Sequence, residues 1–245
     1  MATRKRTTPG GSRGRAPERR PPDTLSSPDR VVDAIVQGIR SGRYVPGQKL
    51  IEADLTQGLR VSRGPVREAF KRLSAEGIVT LTRHRGAYVR ALTRTEADEA
   101  LVVLEVLTRL MARLAAETIS AGDHAEQIRE AFQWLGAYKS GQASANEYIE
   151  QRRQFYDTLV EIGGNEQLKR IMPTMQIHLL RLQVQPYLTA TARAEQLGSY
   201  AEITSAVLAG KPVEAERAMQ RHIRRSRKRY QTLPEEAFWT RSGSS

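Results

Sequence analysis

Residues 58–77 read GLRVSRGPVREAFKRLSAEG, and this stretch decides how the N-terminal part of the chain folds. Ser62 suits a helix N-cap, where its hydroxyl can accept from a first-turn amide. Pro65 falls in that first turn, where a missing N–H costs little. At about 100° per residue, Val66, Ala69, Phe70 and Leu73 share one arc, and Arg63, Arg67 and Lys71 form the adjacent one. The apolar arc predicts a helix seated on a core. The basic arc, with small Gly64 at its start, leaves the helix N-terminus free to approach a flat, negatively charged partner. Gly77 ends this helix, and a short helix closing at Gly58 precedes it, so the unit reads as helix, tight turn, helix.

A basic arc alone is more often a solvated face. The residues after Gly77 weigh against that reading. IVTLT at 78–82 and AYVR at 87–90 are rich in β-branched and aromatic residues, and the basic turn RHRG joins them, which predicts a hairpin. A helix-turn-helix with a basic-tipped hairpin is a winged helix, whose second helix enters the DNA major groove.

Four ordered stretches, LIEADL at 50–55, VSRGPVRE at 61–68, RLSAEGI at 72–78 and RGAYV at 85–89, resemble the DNA-binding domain of GntR-type bacterial regulators of the FadR/VanR subgroup. The resemblance places Ser62, Arg63, Gly64, Arg67 and Lys71 where that family meets bases and phosphates. It places His84, Arg85 and Gly86 at the wing tip. Arg presents a fork that matches guanine O6 and N7, and Gly lets the wing backbone come close to the sugar-phosphate. Some relatives carry a DNA-touching Arg in the preceding helix. Ala53 and Asp54 stand there, so that contact is not carried over.

The charge is distributed unevenly. Residues 1–29 carry +4, residues 30–92 carry +7 and residues 93–245 carry +1 of the total +12. That is the electrostatic footprint of a nucleic-acid binder followed by a near-neutral domain with another task. With 0 Cys in 245 residues there are no disulfides or thiolate metal sites, and no apolar run approaches the ~20 residues of a membrane span. A cytoplasmic, nucleoid-associated bacterial protein is the expectation.

In order, residues 1–27 predict a disordered basic arm, either inert or adding phosphate contacts. Residues 28–92 form the winged helix-turn-helix, whose first helix, Asp29 to about Ser41, carries Val31, Val32, Ile35, Val36 and Ile39. Leu50, Leu55 and Leu59 supply the inner face of its second helix. From 93 to 232 the chain reads as an antiparallel bundle of about six helices, so the whole is mainly α with a small β-hairpin. Leu104, Leu107, Met111 and Leu114 stripe the bundle's first helix, which closes at Gly122. Ile128 to Leu135 carry the second, ending near Gly141, and about Ala145–Ile162 the third. A fourth from about Glu166 is kinked by Pro173, and two more run at about 190–209 and 212–231. Residues 233–245 predict a frayed tail, with Phe238 and Trp239 folding back on the bundle or a partner subunit as the alternative.

RLMARLAAE at 109–117, QFYDTLVEIGGNEQL at 154–168, YAEITSAVLAGKPVEAERAM at 200–219 and HIRRS at 222–226 resemble the effector (FCD-type) domain of the same subgroup. That resemblance implies dimerisation and a divalent metal that holds a small organic acid. The chain departs from the ligand pattern: Arg152 takes the Asp position, Tyr156 and Tyr200 take two His positions, and His222 alone remains. One His is no shell for Zn, and a guanidinium repels a cation. The reading is therefore no cofactor, with Arg152 binding a carboxylate directly and Tyr156, Tyr200 and His222 adding donors. Arg109 and Arg113, on a neighbouring helix, are candidates to face the same pocket. The alternative is that Arg152 pairs with Glu150 or another acid and the pocket is plain core.

These features predict a regulator, most simply a repressor, that binds a pseudo-palindromic operator as a homodimer and is released by an organic acid. Two alternatives remain: a constitutive DNA-binding protein with a vestigial pocket, or a metal-dependent effector binder. There is no nucleophile elbow, phosphate loop or acid–base pair, so an enzyme is not expected.

Overall fold

In the computed structural model, residues 25–82, 86–137, 144–172 and 174–240 are described. The first helix, α1 (Ser27–Arg40), starts at N-cap Ser26, whose side chain accepts from the Asp29 amide. It is followed by β1 (Lys49–Leu50), α2 (Glu52–Leu59), α3 (Arg63–Ala75), β2 (Val79–Thr82) and β3 (Gly86–Val89). The strands are antiparallel in the order β1-β3-β2, with Val79 opposite Val89 and Leu50 opposite Ala87. Leu50 thus belongs to a strand and not to the second helix. A two-residue strand carries no alternation for a sequence to display.

The turn between α2 and α3 also differs from expectation. The second helix continues past Gly58 to Leu59 and closes on Arg60, at φ 52 and ψ 50. Arg60 is the one non-glycine residue with positive φ among those described. Ser62 occupies the N-cap of α3, but its hydroxyl makes no bond to a first-turn amide. Val31, Ile35 and Ile39 of α1, Leu55 of α2, and Val66, Ala69, Phe70 and Leu73 of α3 close over Val79, Ala87 and Val89.

The second half comprises α4 (Arg94–Thr118), α5 (His124–Ala137), α6 (Ala145–Gly163), α7 (Glu166–Ile171), α8 (Thr174–Val184), α9 (Ala190–Leu208) and α10 (Pro212–Gln231). Capping boxes start two of them, Thr93 with Glu96 for α4 and Ser144 with Glu147 for α6. The first helix stops at Thr118, short of Gly122. Gly141, the expected end of the second, lies outside the described residues. The expected kinked fourth helix is two helices. Met172, at φ −65 and ψ 115, has left the helical region, as a residue ahead of proline is steered to do. Pro173 itself lies outside the described residues.

Between the two halves lies α8. Its residues 177–182 are all buried, as in a helix enclosed on every side. Leu179 and Leu182, with Ile149 of α6, complete the core of the N-terminal unit, while Ile177, Leu180 and Val184 belong to the bundle core. The Gln176 amide adds a hydrogen bond to the Glu76 carbonyl at 2.9 Å.

The C-terminal segment is docked, contrary to the frayed tail expected. Ala237 and Phe238 are buried, and the Trp239 amide donates to the Leu92 carbonyl at 2.9 Å. Gln183 of α8 accepts from the Leu92 amide at 2.9 Å and donates to the carbonyls of Leu92 and Ala237 at 2.8 and 3.0 Å. Arg94 donates to the carbonyls of Tyr230, Gln231 and Leu233 and stacks on Phe238, 4.6 Å from the ring centroid. The tail orders because the link between the halves supplies carbonyls, a cation and an apolar seat. Among the described residues, no helix is long and apolar enough to cross a membrane.

Candidate functional site

Two regions carry the chemistry. The first is the outer face of α3. Val66, Ala69, Phe70 and Leu73 are buried, and this turns Ser62, Arg63, Gly64, Arg67 and Lys71 outward, all exposed. No atom lies within 4 Å of where a Gly64 Cβ would stand, so the helix start is open to a close approach. Since Ser62 does not cap, the α3 N-terminal amides keep their partial positive charge for an external acceptor. The Arg67 Nε is paired with Glu52 of α2 at 3.0 Å, with the Arg67 side chain 66% exposed. Arg72, on the flank, is engaged instead by Asp29 at 2.7 Å and Glu68 at 2.5 Å. At the turn end of the wing hairpin, opposite Thr82, Gly86 has φ +96, which suits glycine. His84 and Arg85 lie outside the described residues.

The second region is inside the bundle. Arg152 and Tyr156 of α6, Tyr200 of α9 and His222 of α10 converge, all at most 3% exposed. The Arg152 Nε donates to the Tyr200 hydroxyl at 2.9 Å. Its guanidinium also lies 5.8 Å from the Tyr148 ring centroid and 5.9 Å from that of Tyr200. Tyr200 is tilted against His222, with ring centroids 4.6 Å apart, and edge-on to Phe155 at 5.1 Å.

A further residue joins them that sequence reasoning misses. Arg181 of α8 is 4% exposed and lies over Tyr156, 4.5 Å from the ring centroid. Its one sequence signal is an arginine set within the apolar run HLLRLQV at 178–184. Arg152, Tyr156, Arg181, His222, Ser226 and Tyr230 line a cavity of about 10 Å³, room for about one water.

Neither Arg152 nor Arg181 makes an ion pair among the described residues; Glu150, the alternative partner of Arg152, is bound to Arg153 at 2.5 Å. The Arg152 Nη1 and the Ser226 hydroxyl are buried without a hydrogen-bond partner. A buried, uncompensated charge is costly, and arginine does not escape the cost by deprotonating. Burial, and after it the charges of Arg152 and Arg181, push the His222 imidazole well below its ordinary pKa, so it is neutral at pH 7. Burial raises the Tyr156 phenol, which remains a neutral donor.

Arg109 and Arg113 do not reach this cavity. Arg109 is bound to Glu216 of α10 at 2.7 Å, and Arg113 pairs with Glu117 on the outer surface at 2.9 Å. They follow Thr108 and Ala112, which take the inward positions of α4. His124 contacts the Thr118 carbonyl at 2.8 Å. His178, given no role from sequence, is fully buried, and neither ring nitrogen has a partner. Burial and then the Arg181 charge push its pKa down to about 4.

The residues at this place do not fit a divalent cation. His222 is the single imidazole lining the cavity, and two guanidinium groups flank it. Among the described residues, no three His, Asp or Glu side chains come together as a metal-binding group.

Comparison with known proteins identifies a domain in each half of the chain. Residues 28–89 match the model for bacterial regulatory proteins of the gntR family, and residues 99–225 match the FCD domain. The chain is 29% identical over 194 residues to a probable D-xylose utilization operon transcriptional repressor of Paenarthrobacter nicotinovorans, covering 79% of this chain and 84% of that one. It is 32% identical over 128 residues to the Nta operon transcriptional regulator of Aminobacter aminovorans, covering 52% and 60%. The fold matches a putative GntR regulator from Rhodococcus sp. RHA1 with TM-score 0.71 at 22% identity, covering 84% and 98%. It matches E. coli McbR/YncC with TM-score 0.70 at 20% identity, covering 85% and 98%. The chain therefore belongs to the gntR family of bacterial transcriptional regulators, as a DNA-binding winged helix joined to an FCD domain.

Proposed function

We propose that this regulator is a repressor whose hold on its operator is released by a small organic acid, bound inside the FCD domain by Arg152 and Arg181 without a metal. The observation that carries the reading is two buried guanidinium groups, one with an unpartnered N–H, and no acid paired to either among the described residues. A carboxylate supplies what they lack. It accepts from the Arg152 fork and from Arg181, while Ser226 and Tyr156 offer hydroxyl donors. His222, held neutral, forms a wall and can donate one N–H.

A cavity of about 10 Å³ does not admit such a ligand unopened. Entry has to spread α6, α8 and α10. Ile149 on α6 and Leu179 and Leu182 on α8 also close the core of the winged helix, so that spreading re-seats the DNA-binding unit. The ligand thereby discriminates between two placements of α3, which is the requirement for coupling. As a homodimer, the protein places two winged helices on a pseudo-palindromic site.

The test uses DNA that the protein itself selects from a randomised pool, labelled and followed by fluorescence anisotropy in EDTA. Addition of small mono- and dicarboxylic acids is expected to release DNA from the wild type and not from Arg152→Met. Release that needs an added divalent metal contradicts the reading. Equal affinity with and without every acid favours the constitutive alternative.

A further inference from the structure

The docked tail leaves one large ring open. Trp239 is tied through its amide to Leu92, yet it stays 46% exposed, while Phe238 beside it is buried. Trp239 lines a cavity of about 290 Å³ that also takes Thr80 and Tyr88 from the wing hairpin, and Arg90 and Glu96 from the link and the start of α4. The sheet presents its outer face here. Val79 and Val89 point into the core, which turns Thr80 and Tyr88, opposite each other in the β2–β3 register, away from it. None of these residues lines the Arg152 cavity. The volume lies at the small end of ligand pockets, which start at roughly 300 Å³.

The lining has a consistent chemistry. Neither Tyr88 nor Trp239 has a ring partner among the described residues, so both offer aromatic surface to a flat molecule. The Glu96 carboxylate is already engaged, accepting from the Thr93 amide at 2.8 Å and from Arg90 at 3.4 Å. Arg90 is not. That long contact is its one side-chain hydrogen bond among the described residues, and its side chain is 30% exposed. Most of a fork of N–H donors is therefore left for an external acceptor. The same guanidinium disfavours a cation.

We propose that this cavity is a second ligand site, separate from the one at Arg152, and that it takes a planar aromatic carboxylate. The ring lies against Trp239 and Tyr88, the carboxylate accepts from Arg90, and Thr80 supplies a further hydroxyl. Such a ligand touches the wing hairpin, the first turn of α4 and the C-terminal tail together. It therefore favours the placement of the two halves in which these parts meet.

The chain has 2 Trp, so the indole N–H resonances of the isotope-labelled full chain give a reporter at the site and a control on α5. Cinnamate is added to the wild type, with Trp239→Phe assigning the two signals. The Trp239 signal is expected to shift and saturate, and the exposed Trp134 signal to stay in place. Cinnamamide, which lacks the charge, and cinnamate with Arg90→Gln are each expected to bind about tenfold more weakly, the worth of one charge-assisted hydrogen bond. Arg152→Met is expected to leave the Trp239 response unchanged. Circular dichroism checks that Arg90→Gln folds, and the amide comparison decides the role of charge in the wild type without any variant. No shift at Trp239, or an unsaturated drift of both indoles, overturns the site. An equal response to cinnamamide overturns the carboxylate. A response lost in Arg152→Met and kept in Arg90→Gln places the acid in the Arg152 cavity instead, which overturns this site and leaves the function proposed above intact.

Discussion

The Arg152 Nε donates to the Tyr200 hydroxyl at 2.9 Å while the same guanidinium keeps its Nη1 buried and unpartnered. One side of the group is held in place and the other is left to bind. Removing the charge should therefore separate stability from response. Arg152→Met is expected to leave the ligand-free protein as stable as the wild type or more so, by up to about 1–4 kcal/mol, because an uncompensated buried cation is gone. The same variant is expected to lose all stabilisation by carboxylic acids. Thermal unfolding with and without an acid panel measures both.

Arg67 stands exposed beside Glu52, which orients it across the outer face of α3. Arg67→Ala is expected to cost about 1–3 kcal/mol of specific DNA binding. It should change thermal stability by less than about 1 kcal/mol, the usual worth of an exposed pair. Anisotropy titrations on selected and scrambled DNA check the first, and unfolding curves the second.

His178 gives the protein a pH-dependent weakness at the joint between its halves. Its folded pKa is about 4 against an ordinary 6.5, so below pH 6.5 the unfolded chain takes up a proton that the folded one refuses. Stability from this group is complete above pH 6.5 and is lost as pH falls towards 4. The loss is on the order of 3 kcal/mol at one pKa unit per ~1.4 kcal/mol. His178→Gln is expected to flatten the stability profile between pH 6.5 and 4, in urea titrations compared with the wild type.

The C-terminal clasp predicts a coupled loss. Arg94→Ala removes donors to three carbonyls and the cation on Phe238. It is expected to cost about 1–3 kcal/mol and to raise hydrogen exchange at the Trp239 and Leu92 amides. An unchanged exchange pattern would mean that the tail is held by its aromatic contacts alone.

Much of the fold is legible in the sequence. The arcs on α3 and the strands of the hairpin are local signals, and each appears in the structure where its residues stand. Arg152 is equally visible as a residue, although not as a buried one. The features that escape depend on distant partners. Arg181 looks like one polar residue in an apolar helix until α8 is seen enclosed by both halves. Arg109 and Arg113 share a helix with the cavity-lining Leu101 and Leu104 but lie about a quarter-turn or more from them, a difference that rests on the exact phase of α4. Phe238 and Trp239 read as a tail because the groups that hold them, Gln183 and Arg94, lie some 50 and 140 residues earlier. Met172 shows the converse, since a local rule about prolines turned an expected kink into a break.

The central claim is that an arginine pair replaces the metal as the anion holder, and native mass spectrometry of the purified full chain tests it most directly. The expected result is a species free of divalent metal that takes up one small carboxylic acid per subunit, with uptake abolished in Arg152→Met. A stoichiometric divalent cation retained by the wild type would contradict it.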